Sequence, residues 1–273
     1  MNDPILLASM AALLLVIGAF AGVLAGLLGV GGGIVLVPAF FYAFGVLGFD
    51  GPSLMQICLG TSLATIVVTS LRSVDSHNRK GVVDWEILRS WAPAIALGAV
   101  IGVLTVAGLG SRLLQAIFGG LAGLIGLYML VGRSDWRLAE TMPSEPVRSA
   151  IAFPMGFLSV LMGIGGGSFG VPLMTLFGIP IHRAVATAAG FGVVIAVPST
   201  LGFFLVEATD NVPPLTIGSV NLIAFGLIVV MTLLTAPLGA SLAHRLDPKP
   251  LKRIFGAFLL IVALNMLGEA VLA

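Results

Sequence analysis

Charge is what this chain has least of. Asp, Glu, Lys and Arg together make up 9% of its 273 residues, where an ordinary soluble domain carries about 25%. The few charges lie between hydrophobic runs or near their ends, so no mid-membrane Asp or Glu offers a carboxylate proton relay and no mid-span Lys or Arg offers a fixed cation. Cysteine is nearly absent as well. Cys58 stands alone in an apolar stretch, which excludes an intrachain disulfide and a thiolate metal site. A nucleotide-binding Gly-Lys-Ser/Thr motif is missing too, so the chain does not drive anything by its own ATP hydrolysis.

What fills the sequence is hydrophobic: 58% of the residues, with a mean hydropathy of +1.14. This is the composition of an all-α polytopic membrane protein. Short polar loops divide it into ten apolar elements, at 5–28, 34–49, 54–71, 88–109, 113–131, 149–164, 168–179, 184–206, 217–243 and 254–273. Most reach the ~20 residues that a membrane-spanning helix needs, but 34–49, 149–164 and 168–179 are short. The first run ends in Ala19-Phe20-Ala21 like a signal peptide, yet its leader has Asp3 and no basic residue, so it reads as a retained helix.

Two of the short elements follow nearly identical glycine knots. Gly26-Leu-Leu-Gly-Val-Gly-Gly-Gly-Ile-Val-Leu-Val-Pro38 is echoed by Val160-Leu-Met-Gly-Ile-Gly-Gly-Gly-Ser-Phe-Gly-Val-Pro172. Each Gly costs a helix interior about 0.8–1 kcal/mol relative to Ala, so the helices are predicted to break there. Broken backbone in a bilayer persists only where protein buries it or it lines a cavity. The echo continues in Gly81-Val-Val-Asp-Trp85 against Gly218-Ser-Val-Asn-Leu222, in Leu97-Gly-Ala99 against Leu238-Gly-Ala240, and in Leu114-Gln-Ala-Ile-Phe-Gly119 against Leu251-Lys-Arg-Ile-Phe-Gly256. Residues 1–140 and 141–273 therefore read as two copies of one unit within a single membrane domain, joined through the Pro-containing, charged stretch 133–147.

If each knot is the tip of an antiparallel pair, twelve of the thirteen Lys and Arg share one side and only Arg112 lies opposite. If the segment after each knot instead returns to the face it entered from, the split is seven to six. The positive-inside rule selects the first arrangement, with both termini outside. Five elements per copy then make the two repeats inverted, with Gly-rich broken or re-entrant hairpins approaching each other through the bilayer, a transporter arrangement.

A helix begins after each tip, at Ile34 and Ser168, and its first turn presents free N–H groups and a partial positive charge. Two such ends facing one space form an anion site without a charged side chain. The expected substrate-binding residues are Gly31, Gly32, Gly33, Ile34, Gly165, Gly166, Gly167 and Ser168, completed by Thr61 and Ser62 of the third element and by Thr187, the counterpart of Thr61. The bland alternative is that the glycines only allow tight helix packing. Gln56, Thr65 and Thr69 of the third element can also complete the pocket, although Ser and Thr in membrane helices commonly bond back to their own carbonyls. His77, Arg79, Lys80, His182 and Arg183 read as cytoplasmic topology anchors that could also collect anions. Gly166-Gly-Ser168-Phe-Gly170 fits the G-x-S-x-G nucleophile pattern, so an intramembrane serine hydrolase is a rival, weakened by the lack of a nearby base and by Ile34 standing at the matching position. The chain is accordingly expected not to be an enzyme.

Gly29-Val-Gly-Gly-Gly33 with Pro38, Gly163-Ile-Gly-Gly-Gly167 with Pro172, Gly60-Thr-Ser62, and His77 ahead of Gly81-Val-Val-Asp84 resemble the TauE/SafE family over nearly the whole chain. The second copy departs from the first at Ala186-Thr-Ala188, where the first has Gly60-Thr-Ser62. The resemblance implies a multi-pass permease of the bacterial inner membrane, mostly an exporter, for sulfite, sulfoacetate or related organosulfonates. An anion channel or an importer is the alternative. The expected partners are a small anionic substrate and the lipid bilayer, with homo-oligomerisation left open and no nucleic acid, metal or cofactor.

Overall fold

A computed structural model describes residues 4–28, 33–131, 137–243 and 248–272 of the chain. Ten helices account for nearly all of them: α1 (Pro4–Leu28), α2 (Gly33–Val46), α3 (Leu54–Arg79), α4 (Trp85–Ala107), α5 (Ser111–Val131), α6 (Val147–Leu161), α7 (Gly167–Leu176), α8 (Ile181–Leu205), α9 (Leu222–Ala243) and α10 (Pro248–Leu272). Among the described residues, α3, α4, α5, α8, α9 and α10 each contain a stretch long and apolar enough to cross a membrane, and the protein is a multi-pass helical membrane protein. The rest follows from length. At 1.5 Å per residue, the 14 residues of α2, 15 of α6 and 10 of α7 reach only about 21, 22 and 15 Å, short of a hydrocarbon core about 30 Å thick.

Polar groups at helix ends explain where the elements stop. Asp84 precedes α4 and its carboxylate accepts from the Ile87 N–H at 3.1 Å. Asn221 precedes α9 and its amide oxygen accepts from the Ala224 N–H at 2.9 Å. Each supplies the acceptor that a helix N-terminus lacks. Helix α3 continues about two turns past the predicted end at Leu71, so His77 and Arg79 lie in its last turn and not in a loop. The charges there need no loop because the helix has left the hydrocarbon, and an Asp75–Arg79 pair at 3.0 Å supports it at i,i+4 spacing. A two-residue-per-strand hairpin precedes α9, with β1 (Thr216–Ile217) pairing antiparallel to β2 (Val220–Asn221), a feature the hydropathy pattern did not reveal.

The helices pack chiefly as α1 on α9, α4 on α6, α5 on α10 and α3 on α8, with α2 against α3 and α7 against α8. Small residues set the closest approaches. A Cβ on Gly98 of α4 would strike the Phe153 carbonyl of α6, and one on Gly156 of α6 would strike the Ile95 carbonyl of α4. Where α5 meets α10, Gly126 and Gly256 face each other's carbonyls with room for hydrogen only. In a bilayer, where lipid is as apolar as Leu, such backbone contact is a main source of helix association. Helices α3 and α8 form the centre. Residues Leu54 to Thr65 of α3 are buried throughout.

The loops sort onto two faces. On one, Asn211 donates to the Gly48 carbonyl and the Asp50 carboxylate, both at 2.7 Å, the Thr209 N–H donates to Ser53, the Met55 N–H donates to Ser111, and Gln115 reaches Glu269 near the end of α10. On the other, Arg183 pairs with Asp84, the Leu138 N–H donates to the Leu176 carbonyl, and Gly178 lies against Glu140. Arg79, Lys80, Arg137, Arg148 and Arg183 cluster at this second face, hereafter the Arg-rich face. Single cysteines at Asp50 and Asp210 are expected to react with an impermeant thiol reagent from one side of sealed vesicles, and cysteines at Lys80 and Glu140 only from the other. Labelling of all four from the same side would refute this arrangement.

Candidate functional site

The site forms where two broken helices end inside the protein. Helix α6 stops at Leu161. The chain then turns through Gly163, whose φ of +59° is a left-handed conformation costly for any residue with a Cβ, before α7 starts at Gly167. The turn is closed by its own backbone: Gly163 N–H donates to Val160 O and Ile164 N–H to Ser159 O, both at 2.9 Å. Across from it begins α2. A Cβ on Gly33 would lie 2.7 Å from the Gly163 carbonyl and 3.0 Å from Ile164 Cα, so the start of α2 abuts the α6–α7 turn. Gly31 and Gly32 fall outside the described residues.

Free donors accumulate at this turn. Among the described residues, the N–H groups from Gly165 to Phe169 have no acceptor, and the next, that of Gly170, donates to Gly166 O at 2.8 Å. Gly165, Gly166, Gly167 and Ser168 are buried. The Ser168 hydroxyl is buried and has no hydrogen-bond partner, and neither has that of Ser159 in the last turn of α6. Unpaired buried polar groups cost about 1–3 kcal/mol each, so their concentration at a helix N-terminus requires an explanation. The enclosure is apolar. Val37 and Leu59 crowd Gly163, Ile66 lies against Gly33 and Gly165, and Phe191 lies against Gly166 and Gly170. Trp91 of α4 stacks on Phe191 with ring centroids 5.8 Å apart.

The other predicted residues take definite places. Ile34 is buried in the first turn of α2. Ser62 donates to the Gly163 carbonyl at 2.7 Å, so its single proton anchors the turn. Thr61 accepts from the Asn221 N–H at 2.9 Å, and Thr187 accepts from the Asp84 N–H at 3.0 Å. These two bonds are alike, because each joins a threonine of α3 or α8 to the residue that caps α9 or α4. Thr65 and Thr69 spend their hydroxyl protons on their own helix, on Thr61 O at 3.0 Å and Thr65 O at 3.2 Å. Among the described residues no base stands beside the Ser168 hydroxyl, since His77 and His182 lie at the Arg-rich ends of α3 and α8, and His244 falls outside the described residues. Among the described residues no group of three His, Cys, Asp or Glu is placed to hold a metal. Sequence reasoning missed Ser159. A hydroxyl inside the apolar run before the knot was its only signal.

A multi-pass helical protein whose interior holds broken helices and unpaired donors has the architecture of a membrane transporter. The chain belongs to the sulfite exporter TauE/SafE family, which it matches over residues 14–266. It is 35% identical to a probable membrane transporter protein of Haemophilus influenzae over 93% of this chain and 97% of that one. It is 28% identical to the probable membrane transporter protein YunE of Bacillus subtilis over 95% and 98% of the two chains. A probable membrane transporter protein of Methanocaldococcus jannaschii is 23% identical over 93% of this chain and 94% of its own. No solved structure matches the chain.

Replacing Thr61 or Thr187 by Val leaves a buried capping N–H without its acceptor while keeping the shape. Each variant is expected to lose about 1–3 kcal/mol of stability, read as a lowered unfolding temperature of the purified protein in detergent. Unchanged unfolding in both would show that these bonds do not hold α9 to α3 and α4 to α8.

Proposed function

We propose that the protein exports a small sulfur-containing oxyanion, sulfite or a related organosulfonate, by alternating access between two inverted halves, residues 1–140 and 141–273. The observation that carries this reading is the buried, unpartnered Ser168 hydroxyl at the start of α7, beside N–H groups from Gly165 to Phe169 that have no acceptor. Oxygen atoms bearing negative charge satisfy such donors, and the helix dipole adds attraction without a buried cation. Sulfonate and sulfite present three oxygens, enough to meet several N–H groups and one hydroxyl together. Gly33 and Ile34 of α2 contribute the facing helix end, and Gly31 and Gly32, outside the described residues, are assigned to the site from the sequence alone. Thr61, Ser62 and Thr187 shape the walls.

The inverted-repeat reading is supported by the packing. Exchanging α1–α5 with α6–α10 turns α1 on α9 into α6 on α4, turns α2 on α3 into α7 on α8, and leaves α3 on α8 and α5 on α10 unchanged. The twin Thr61–Asn221 and Thr187–Asp84 bonds exchange in the same way. With the Arg-rich face toward the cytoplasm, both termini are periplasmic in a bacterial inner membrane. A monovalent anion then leaves a negative interior downhill by about 2.3 kcal/mol per 100 mV, so export needs no second energy source. Enclosure of the tip by Leu59, Ile66 and Phe191 fits an occluded stage between the two openings.

Thermal unfolding of the purified protein against sulfite, thiosulfate, sulfate, sulfoacetate, taurine and acetate tests this, because a ligand stabilises the state that binds it. Sulfite or sulfoacetate is expected to raise the unfolding temperature in a saturable way, and Ser168→Ala to weaken the apparent affinity about tenfold, the loss expected for one hydrogen bond to a charged group. No stabilisation by any of the anions, or full stabilisation in Ser168→Ala, would remove the site. Gly166→Leu is a poorer probe, since even a Cβ there would strike Phe191.

A further inference from the structure

The two bonds that tie the halves together are twins, but their surroundings are not. Asp84 and Asn221 occupy matching places: each caps a long helix through its side-chain oxygen and gives its N–H to a threonine of the opposite half. The remaining valence differs. The Asn221 amide nitrogen is spent locally, donating to Pro214 O at 2.9 Å and Thr216 Oγ1 at 3.0 Å within its own half. The second carboxylate oxygen of Asp84 instead crosses to the other half, where Arg183 Nη2 donates to it at 2.7 Å. Arg183 lies one turn before Thr187 on α8, and the residue one turn before Thr61 on α3 is Ile57, which is buried and apolar. An ion pair thus reinforces the junction at the Arg-rich face and has no counterpart at the other.

That junction stands between the tip and the Arg-rich face. From Arg183, α8 runs through Thr187 to Ala188 and Phe191, which crowd Gly166, and α4 runs from Asp84 to Trp91, which stacks on Phe191. Access to the Ser168 site from this face therefore requires the starts of α4 and α8 to separate. At the opposite face the corresponding separation is of α9 from α3, at Asn221 and Thr61.

We infer that the Asp84–Arg183 pair is a one-sided latch, which holds the anion site shut toward the Arg-rich face and biases the resting protein toward opening at the other. The inference rests on the reading of Ser168 as part of the transported anion's site. Asp84 is largely covered and Arg183 half exposed, with side-chain exposures of 16% and 53%, so the pair is partly screened by water and salt. A latch of this strength tilts an equilibrium without locking it, which suits a gate that opens in every cycle. An arriving oxyanion has the chemistry to take over the guanidinium from Asp84, which would couple release of the latch to the presence of cargo.

The natural test copies the opposite junction. Asp84→Asn keeps the helix cap and the Thr187 bond, as Asn221 does in its own place, and removes only the charge pair; Arg183→Gln removes it from the other side. In a Cys58→Ala background, Ser168→Cys reports access to the tip through its rate of reaction with an impermeant thiol reagent, in sealed vesicles of each orientation. Both variants are expected to raise labelling from the Arg-rich face about two- to fivefold, as the strength of an exposed ion pair allows, to leave labelling from the opposite face unchanged or lowered, and to add nothing further when combined. High salt should bring the unsubstituted pair toward the variants. Unchanged labelling, an equal rise from both faces, or additive effects would each overturn the latch. The labelling uses no substrate, so these outcomes are separate from the loss of anion-induced stabilisation that tests the site itself.

Discussion

The structure depends on one constraint: a helix broken in hydrocarbon must have its freed backbone groups satisfied by protein or by cargo. At the α6–α7 turn protein meets several of them. The turn bonds to itself through Gly163 and Ile164, and the Gly163 carbonyl receives Ser62 of α3. Among the described residues, what stays unmet includes the N–H groups from Gly165 to Phe169 and the Ser168 hydroxyl, together with the carbonyls of Leu161, Met162, Ile164 and Gly165. The free N–H groups at the start of α7 are the feature on which the proposed site rests, because a helix N-terminus attracts an anion without a buried Lys or Arg.

The same constraint accounts for the glycines. They permit the close approach of α2, α3 and α8 that buries the turn: Gly33 against the Gly163 carbonyl, Gly163 against Leu59, and Gly166 against Ala188 and Phe191. Packing and binding are therefore two uses of the same residues and not competing explanations. Without that close approach the free N–H groups would face lipid or fill with water. With it they lie among buried apolar side chains, where an electrostatic contact is stronger than in water.

Much of this was legible in the sequence because the signal was local. A triple glycine breaks a helix whatever its surroundings, and charge counts place loops on faces. The echo of Gly81-Val-Val-Asp84 in Gly218-Ser-Val-Asn221 was visible too, but not its meaning. Asn221 and Asp84 meet Thr61 and Thr187 across 160 and 103 residues of chain, and no periodicity reports such pairings. The extension of α3 beyond Leu71 was hidden because charged residues in an unpacked helix end look like loop residues. Ser159 was hidden because a single hydroxyl in an apolar helix usually bonds back to its own backbone.

The account stands or falls on whether an anion binds at the α7 tip and is carried by alternating exposure. Counterflow in proteoliposomes measures both: vesicles loaded with unlabelled sulfite are diluted into trace radiolabelled sulfite. The account predicts transient, saturable accumulation of label that is independent of ATP and is strongly reduced in Ser168→Ala protein that is still inserted and folded. Flux that rises linearly with concentration, without trans-stimulation, and is the same in Ser168→Ala would contradict it and describe a channel whose path lies elsewhere.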